Sequence, residues 1–517
     1  MCNKQIAIVG AGPAGLAAAK HVLEAGFEPV VLEQSNGIGG QWNAGAAHSG
    51  VWPAMRTNTS RVTTRFSDLA HEPGLPVFPT NQQILAYLKR YVAHFGLQPH
   101  IRLNTRVKRL AQVEGAWELT LTGPDQAEKV NTFAHVVVAS GRYNRPRIPN
   151  LKGLENFQGE LGVSHTFDYK GPEKFAGRRV MVIGNSISGL EICSDLAVIQ
   201  GTRVISACRK PRYILSKLLA GRPTDCVAFN RFASLAFRAF PPEVAASGLK
   251  KLILDHCGNP AQYGGLKPAE NLLEANITQC QNYLPLVAEG KIIVKGAPVE
   301  FTEDSALFQD GSREVLDAVI FATGFDLHLP FLSDDLRRRL DADDTHLDLY
   351  QHTFHPDLPG LAFVGLFCQV GPYFPTLELQ ARWVAMVFGG TRSLPSREAM
   401  LAGVAAHRDW KTRFHEIVFH DAVLQFADAA GVAPDLARRP DLAKPLLFGP
   451  LTPVQFRLDG QGSLPDADRH FIEEATEFGC LRNSEFTPEE LKSLEMLAER
   501  LPEEAALAPL VCQLRRN

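Results

Sequence analysis

An α/β fold with two doubly wound, parallel-sheet units is predicted, and three observations carry the prediction. Residues Gln5 to Glu33 read as strand, glycine-rich turn, helix and strand, and the same pattern returns between Arg179 and Cys208. The chain, at 517 residues, is also longer than one hydrophobic core usually supports. Apolar residues make up 45% and charged residues 21%, values of an ordinary globular protein.

In the first unit, Gln5 to Val9 predicts a buried strand, Gly10 to Gly15 a tight turn, Leu16 to Ala25 a helix and Glu28 to Glu33 a second strand. Thr80 and Gln83 have the spacing of a capping box, followed at helical intervals by Ile84, Leu85, Leu88, Tyr91, Val92 and Phe95. A strand at His135 to Ala139 runs into Ser140 and Gly141, and the Pro- and Gly-rich stretch Asn144 to Gly153 marks a first boundary. The second unit runs from Arg179 through Gly184 to Gly189 into a helix at Leu190 to Ile199 and a strand at Arg203 to Cys208. Between about Pro211 and Gly290 the pattern turns mostly helical and irregular, as an insertion. Lys291 to Val294 and Ala318 to Ala322 restore strand character. Beyond Asp428, charged helical segments alternate with Pro-rich breaks, which predicts a packing or oligomer element; a homo-oligomer is compatible with it.

The formal net charge of −3, with acids and bases interspersed, gives no footprint for nucleic acid or an anionic membrane, so a small-molecule partner is expected. Nine cysteines are scattered without a CxxC pair, which suits a reducing cytoplasmic compartment. The apolar stretch Ile6 to Ala19 after Lys4 has the outline of a secretory signal, but Gly10, Gly12, Pro13 and Gly15 interrupt it where a nucleotide motif requires them. No run of eighteen apolar residues predicts a membrane anchor.

Gly10, Ala11, Gly12, Pro13, Ala14 and Gly15 follow a strand, open a helix, and have Glu33 at the end of the next strand. In such a turn the first glycine makes the bend, the second lets backbone N–H groups approach a pyrophosphate, and the third permits close helix–strand packing. Glu33 would accept hydrogen bonds from a ribose, which favours an unphosphorylated ribose as in FAD or NAD. The second unit offers Gly184, Ser186, Ile187, Ser188 and Gly189, with serine in place of the middle glycine. Arg209 and Lys210 stand where Glu33 stood, and cations there pair with a ribose phosphate, so NADPH is preferred over NADH. Two Rossmann-like sites in one chain imply electron flow from a nicotinamide to a flavin. A disulfide reductase would need a redox cysteine pair near the flavin, and no CxxC or CxxxxC lies near a candidate strand. His346, His352 and His355 are too loosely spaced for a metal site, and no metal is expected.

After the first fingerprint the chain continues Gly39-Gly40-Gln41-Trp42, then Arg56-Thr57-Asn58-Thr59-Ser60-Arg61 and Phe66-Ser67-Asp68. These segments resemble the flavin-containing monooxygenases, the class B flavoprotein monooxygenases. The resemblance continues through Val138–Gly141, Pro146–Pro149, Phe321–Phe325 and Glu378–Trp383, and covers the chain to about Leu458. It implies an FAD domain (1–150 and 321–427) interrupted by an NADPH domain (151–320) with a helical insertion (about 211–290), then a C-terminal extension (428–517). It also implies that Gln34, Gly40, Gln41, Trp42 and Thr59 help line FAD, that Ala322, Thr323 and Gly324 link the nucleotide domains, and that Asn58 sits beside the reactive flavin carbon and the nicotinamide. Arg61 replaces the lysine common in the family. The identifying pattern FxGxxxHxxx(Y/F) appears as Phe157, Gly159, His165 and Tyr169, with two extra residues between Gly159 and His165.

By this resemblance NADPH reduces FAD, dioxygen adds to give a flavin C(4a)-hydroperoxide, and a soft nucleophile (amine nitrogen, sulfide sulfur or indole-like ring) takes one oxygen atom. Alternatives from the same cofactors are Baeyer–Villiger oxidation of ketones, which Tyr169 in place of tryptophan disfavours, and an NADPH-dependent flavin reductase or diaphorase. A non-catalytic nucleotide-binding regulator fits poorly, because both nucleotide motifs are intact.

Overall fold

The computed structural model describes residues 4–413, 416–481 and 485–515, with side chains of 410–413 excepted. Its centre is a pair of five-stranded parallel sheets. In the first, the strands lie in the order Leu361–Phe363, His135–Val138, Gln5–Val9, Glu28–Leu32, Ile101–Arg102. In the second, the order is Ile292–Gly296, Arg203–Cys208, Arg179–Ile183, Ala318–Phe321, Gly162–His165.

Both sheets are covered on both faces, which is why their strands read as unbroken apolar runs. Successive residues serve opposite faces. Ile6, Ile8, Val31 and Val137 join one core, packed by the helices Pro13–Glu24, Asn81–His94, Phe374–Phe388 and Phe419–Ala430. Ala7, Val9, Val30, Leu32, Val136 and Val138 join another, under the antiparallel sheet Arg106–Val113, Ala116–Thr122, Glu128–Phe133. In the second sheet Val180, Val182, Val204 and Ile320 face the helix Ile187–Ala197, while Met181, Ile183, Ile205, Val319 and Phe321 face a smaller antiparallel sheet, Pro298–Phe301, Ser305–Phe308, Arg313–Val315.

Two chain segments pass between the sheets, side by side. Arg145–Pro146 pairs antiparallel with Phe325–Asp326, and the Arg147 N–H donates to the Gly324 carbonyl at 3.0 Å. The boundary expected at Asn144 to Gly153 therefore falls in one arm of a two-stranded connection.

Several expectations shift. The first helix starts at Pro13 rather than Leu16, because proline at the first helical position has its φ preset and lacks an N–H to satisfy. The second starts at Ile187 rather than Leu190, directly after Ser186. The capping box is present, with the Gln83 N–H donating to Thr80 Oγ1 at 3.2 Å and the Thr80 N–H to Gln83 Oε1 at 2.9 Å. The insertion is mostly helical and irregular, as expected, and adds two short pairings: strand Tyr213–Leu215 lies beside Ile277–Gln279, and Leu218–Leu219 forms a hairpin with Arg222–Pro223. The two extra residues of the identifying pattern are absorbed in a turn, in which the Gly162 N–H donates to the Gly159 carbonyl at 2.8 Å and Gly162 takes φ +63°. The C-terminal helices pack back on the insertion, with Phe471, Leu494, Leu497 and Leu510 sharing a core with Leu235.

A buried ionic network ties the first-unit helix to the C-terminal part. Glu378 accepts from the Ser67 N–H at 2.7 Å and pairs with Arg457 at 2.9 Å; Arg457 also reaches Asp68 at 3.1 Å, which pairs with Lys20. Burial by itself would raise the Glu378 pKa, but the His21 imidazole at 3.8 Å, the Arg457 guanidinium and the Ser67 donors outweigh it and hold the carboxyl well below its usual range. A depressed carboxyl pKa contributes stability that is complete above the unfolded value and is lost as pH falls through the folded one. Glu378→Gln is expected to cost about 3 kcal/mol, the low end for breaking a buried pair because Asp68 still faces Arg457. Urea unfolding at neutral pH checks this, and a loss below about 1 kcal/mol would mean that Asp68 alone satisfies Arg457.

Candidate functional site: two equivalent nucleotide cradles and a pinned asparagine loop

The two glycine turns are built alike at their first and last glycines. Gly10 takes φ +106° and its N–H donates to the Leu32 carbonyl; Gly184 takes φ +123° and donates to the Ala207 carbonyl, each at 2.8 Å. A Cβ on Gly10 would meet the Ala139 carbonyl oxygen at 2.6 Å, and one on Gly184 the Ala322 carbonyl oxygen at 2.3 Å. A Cβ on Gly15 would meet the Gly10 carbonyl oxygen at 1.9 Å, and one on Gly189 the Gly184 carbonyl oxygen at 2.2 Å. Side chains are excluded at all four positions, so each helix lies directly on its strand.

Gly12 and Ser186 are the N-caps of the two helices; neither supplies a side-chain cap, and neither first turn holds an acidic residue. The positive helix end and its N–H groups are therefore left to an anion outside the helix. Gly12 also allows a close approach from the following segment, since a Cβ on Gly40 would come within 3.0 Å of the Gly12 Cα. Ala14 is buried and is approached by Gly365, where a Cβ would lie 3.3 Å from the Ala14 Cβ. Gly365 was not singled out from sequence, although the positive φ of +74° there favours glycine.

Glu33 is 3% exposed; one carboxylate oxygen accepts from the Ala11 N–H at 2.8 Å and the other from the Ser35 N–H at 2.8 Å and the Ser35 hydroxyl at 2.7 Å. Its first task is thus to brace the glycine turn, with limited acceptor capacity left for a ribose. Gln34 is exposed, with its amide 3.5 Å from His48 Nδ1. Gln41 is committed to backbone: its amide donates to the carbonyls of His48 at 2.9 Å and Tyr143 at 2.6 Å and accepts from the Gly50 N–H at 2.9 Å. Trp42 is half-buried against the first core.

In the second cradle Ile187 and Ser188 are half-buried, and Arg209 and Lys210 are exposed at the end of their strand. Asn185 donates to the Lys210 carbonyl at 2.7 Å, which fixes that turn to the cradle. A cleft of about 560 Å³ opens here, lined among others by Cys208, Arg209, Lys267, Gly296 and Gln309. Lys267, a second cation in the cleft, comes from the insertion, and nothing in its local sequence signals that placement. Ala322 is buried, while the Thr323 hydroxyl donates to the Arg147 carbonyl in the connection.

Asn58 lies on the loop 57–63. Its side-chain oxygen is buried and accepts no hydrogen bond from the protein, as is also true of Ser140 Oγ and Asn144 Oδ1. Buried polar atoms are normally satisfied, and Ser140 and Asn144 follow the carboxyl end of a sheet strand, where doubly wound folds bind ligands. These unpartnered groups, with the two glycine cradles, fit a pair of dinucleotides. Thr59 Oγ1 is 2.8 Å from Thr64 Oγ1.

The residues of the identifying pattern are structural. A Cβ on Gly159 would strike the Phe157 ring at 2.4 Å, the Tyr169 hydroxyl donates to Asp195 at 2.5 Å, and Tyr169 stacks on Phe175. His165 accepts the Phe167 N–H at 3.1 Å, and burial lowers its pKa. His346 pairs with Asp348 at 3.0 Å, and His352 lies 4.2 Å from His407, ring to ring. Among the described residues no group of three or more His, Cys, Asp or Glu is placed to hold a metal ion. No described helix is long and apolar enough to cross a membrane.

Fold and site together define a two-dinucleotide flavoprotein oxidoreductase. The flavin-binding monooxygenase-like family profile matches residues 3–480. Flavin-containing monooxygenase 5 of Oryctolagus cuniculus is 34% identical over 91% of this chain and 92% of its own length. Dimethylaniline monooxygenase (N-oxide-forming) 2 of Cavia porcellus is 31% identical over 91% of each. Among solved structures, S-allyl-L-cysteine S-oxygenase from Allium sativum superposes with a TM-score of 0.63 at 23% identity, covering 92% of this chain and 98% of that one. An NADP+-bound cyclohexanone monooxygenase from Rhodococcus sp. Phi1 gives 0.62 at 19% identity, covering 83% and 97%. The chain belongs to the flavin-binding monooxygenase-like family and is an FAD- and NADPH-dependent monooxygenase acting on a small molecule with dioxygen.

Proposed function

We propose that the enzyme oxygenates a soft nucleophile, an amine nitrogen or a sulfide sulfur, with FAD in the first cradle and NADPH in the second. The observation that carries the assignment of cofactors to cradles is the contrast at the two equivalent strand ends: a buried carboxylate, Glu33, in one and exposed cations, Arg209 and Lys210, in the other. A ribose hydroxyl suits the first and a ribose phosphate the second. The substrate class is supported by relatives whose names state N-oxide formation and S-oxygenation.

In this reading residues 1–150 and 321–427 form the FAD domain and 151–320 the NADPH domain, with 428–517 as an extension. Gly10, Gly12, Pro13, Ala14, Gly15, Gly40, Trp42 and Thr59 shape the flavin groove, Gln41 holds its wall, and Gly184, Ser186, Ile187, Ser188 and Gly189 receive the NADPH phosphates. When bound, the flavin takes electrons from NADPH and activates dioxygen for transfer of one oxygen atom. The chain's own part is to exclude water and to keep the Asn58 carboxamide oriented toward the reacting centre. A cytoplasmic enzyme fits the unpaired cysteines.

Oxygen-18 incorporation into a tertiary amine and a dialkyl sulfide, with cyclohexanone alongside, tests the substrate class; label in the lactone alone would replace this reading with Baeyer–Villiger chemistry. Arg209→Ala is expected to raise KM for NADPH about tenfold and leave that for NADH nearly unchanged. Equal effects on both coenzymes would refute the phosphate role.

A further inference from the structure

The loop that carries Asn58 is held by the insertion, through two residues at the base of one hairpin. Leu218–Leu219 and Arg222–Pro223 pair antiparallel, and the base is closed by the Thr224 N–H donating to the Lys217 carbonyl at 2.9 Å and by the Thr224 hydroxyl donating to the Ser216 carbonyl at 2.6 Å. Lys217 and Asp225 flank this closure and both reach the loop.

One oxygen of Asp225 accepts three hydrogen bonds: from the Ser60 N–H at 3.0 Å, the Ser60 hydroxyl at 2.7 Å and the Thr63 hydroxyl at 2.6 Å. Asp225, Ser60 and Thr63 are each at most 1% exposed. The Lys217 ammonium, 7% exposed, pairs with Glu191 of the NADPH-side helix at 2.9 Å and lies 3.5 Å from the Thr57 carbonyl. The backbone is thus gripped at Thr57 and at Ser60, on either side of Asn58.

Among the described residues no ion pair to a cation accompanies Asp225 in this contact; its donors are two hydroxyls, an amide and, at 3.9 Å, the Cys226 thiol. A buried carboxyl with one oxygen held in this way and the other without a hydrogen-bond partner among the described residues is a poor device for stability, since desolvation opposes it and an apolar side chain of similar shape would avoid that cost. Burial pushes the Asp225 carboxyl up, against the hydrogen bonds from Thr63 and Ser60, so what the side chain supplies is direction: three donors converging on one buried acceptor oxygen fix the loop's position. Since the Asn58 side-chain oxygen has no hydrogen-bond partner among the described residues, its orientation depends on the backbone beneath it.

We propose that Asp225, supported by Lys217, is a positioning residue that acts through Asn58 and sets how tightly NADPH oxidation is coupled to oxygen transfer; the inference rests on the reading of Asn58 given above. The test uses the FAD-loaded enzyme with Asp225→Ala and Asp225→Asn, each with and without Asn58→Ala. Two quantities are measured: the share of NADPH electrons recovered as hydrogen peroxide, and hydrogen–deuterium exchange of segment 57–64.

Asp225→Ala is expected to lower product formed per NADPH about tenfold, the scale of a modest misplacement of a reacting group, and to speed exchange in 57–64 selectively. Asp225→Asn should recover most of both, because its carbonyl oxygen can accept from Ser60 and Thr63. In the Asn58→Ala background Asp225→Ala should add nothing to the peroxide share. Additive effects, or unchanged exchange in 57–64, would overturn the positioning role while leaving Asn58 standing. Normal coupling in Asn58→Ala alone would overturn the Asn58 reading and the proposal with it. Should Asp225→Ala fail to fold, the pair Ser60→Ala and Thr63→Ala removes the side-chain hydrogen bonds from the other side and is held to the same outcomes.

Discussion

Gly15→Ala is expected to give a protein without bound flavin. The added methyl would sit 1.9 Å from the Gly10 carbonyl oxygen and 2.9 Å from its carbon, and both obstacles are backbone. No rotamer change relieves that overlap. The helix Pro13–Glu24 must move off the strand Gln5–Val9, and the N–H groups at its start move with it, away from any pyrophosphate they would receive. Overpacking of this kind costs about 1–3 kcal/mol or more, and each 1.4 kcal/mol is a factor of ten in affinity. The flavin Kd should therefore rise by about tenfold or more, measured by flavin fluorescence titration, with flavin lost from the protein on gel filtration. Full flavin occupancy in the variant would show that close helix–strand contact at Gly15 is not what the cofactor requires.

The turn that Gly15 closes was legible because its demands are local. Glycine is needed at Gly10 for its φ and at Gly15 for its contact, and both reasons operate within six residues of chain. The Thr80–Gln83 capping box was legible for the same reason. The helix starts lie a few residues earlier than the pattern predicts, because a glycine-rich stretch carries the signal of a turn throughout, whereas Pro13 and Ile187 already stand in helix. The sheet edges were harder. Gly162–His165 and Leu361–Phe363 are short, and each becomes a strand only beside a partner from far along the chain. The antiparallel layer at 106–133 has a weaker signal, since its strand Glu128–Phe133 is largely exposed and polar.

The site shows the same division. Asn58 could be singled out from the segment around it, but Asp225, which grips that segment, is 165 positions from Ser60 and sits among residues with no motif of their own. The C-terminal part, in which the sequence shows no chemistry, touches the same loop and the residues just after it: Glu477 pairs with Arg61 and Glu474 with Arg65. Arg61, noted as a replacement for the family's lysine, thus has an acidic partner and an aromatic neighbour, Phe478, with its guanidinium 5.2 Å from the ring centroid. A guanidinium can serve both at once, pairing through its edge and stacking through its face. Long-range pairs of this kind leave no periodic trace, so only coordinates reveal them.

Gly189→Ala should separate the two cradles. A Cβ there would lie 2.2 Å from the Gly184 carbonyl oxygen and 3.0 Å from the Ala322 Cβ, so the helix Ile187–Ala197 is displaced as its counterpart would be in the first unit. The first cradle shares none of these contacts, and its glycine turn is closed by Ala139 and braced by Glu33. The variant is therefore expected to purify with its flavin and to be reduced by dithionite as the unmodified enzyme is. Reduction by subsaturating NADPH should slow about 100-fold, which corresponds to roughly 2.7 kcal/mol of lost interaction and lies within the range for overpacking against backbone. Stopped-flow reduction under anaerobic conditions measures it directly. Loss of flavin in this variant would mean that the two cradles are coupled through the paired connection at Arg145–Pro146 and Phe325–Asp326, since Ala322 stands at the head of that arm. Unimpaired reduction by NADPH would refute the assignment of the nicotinamide nucleotide to the second cradle.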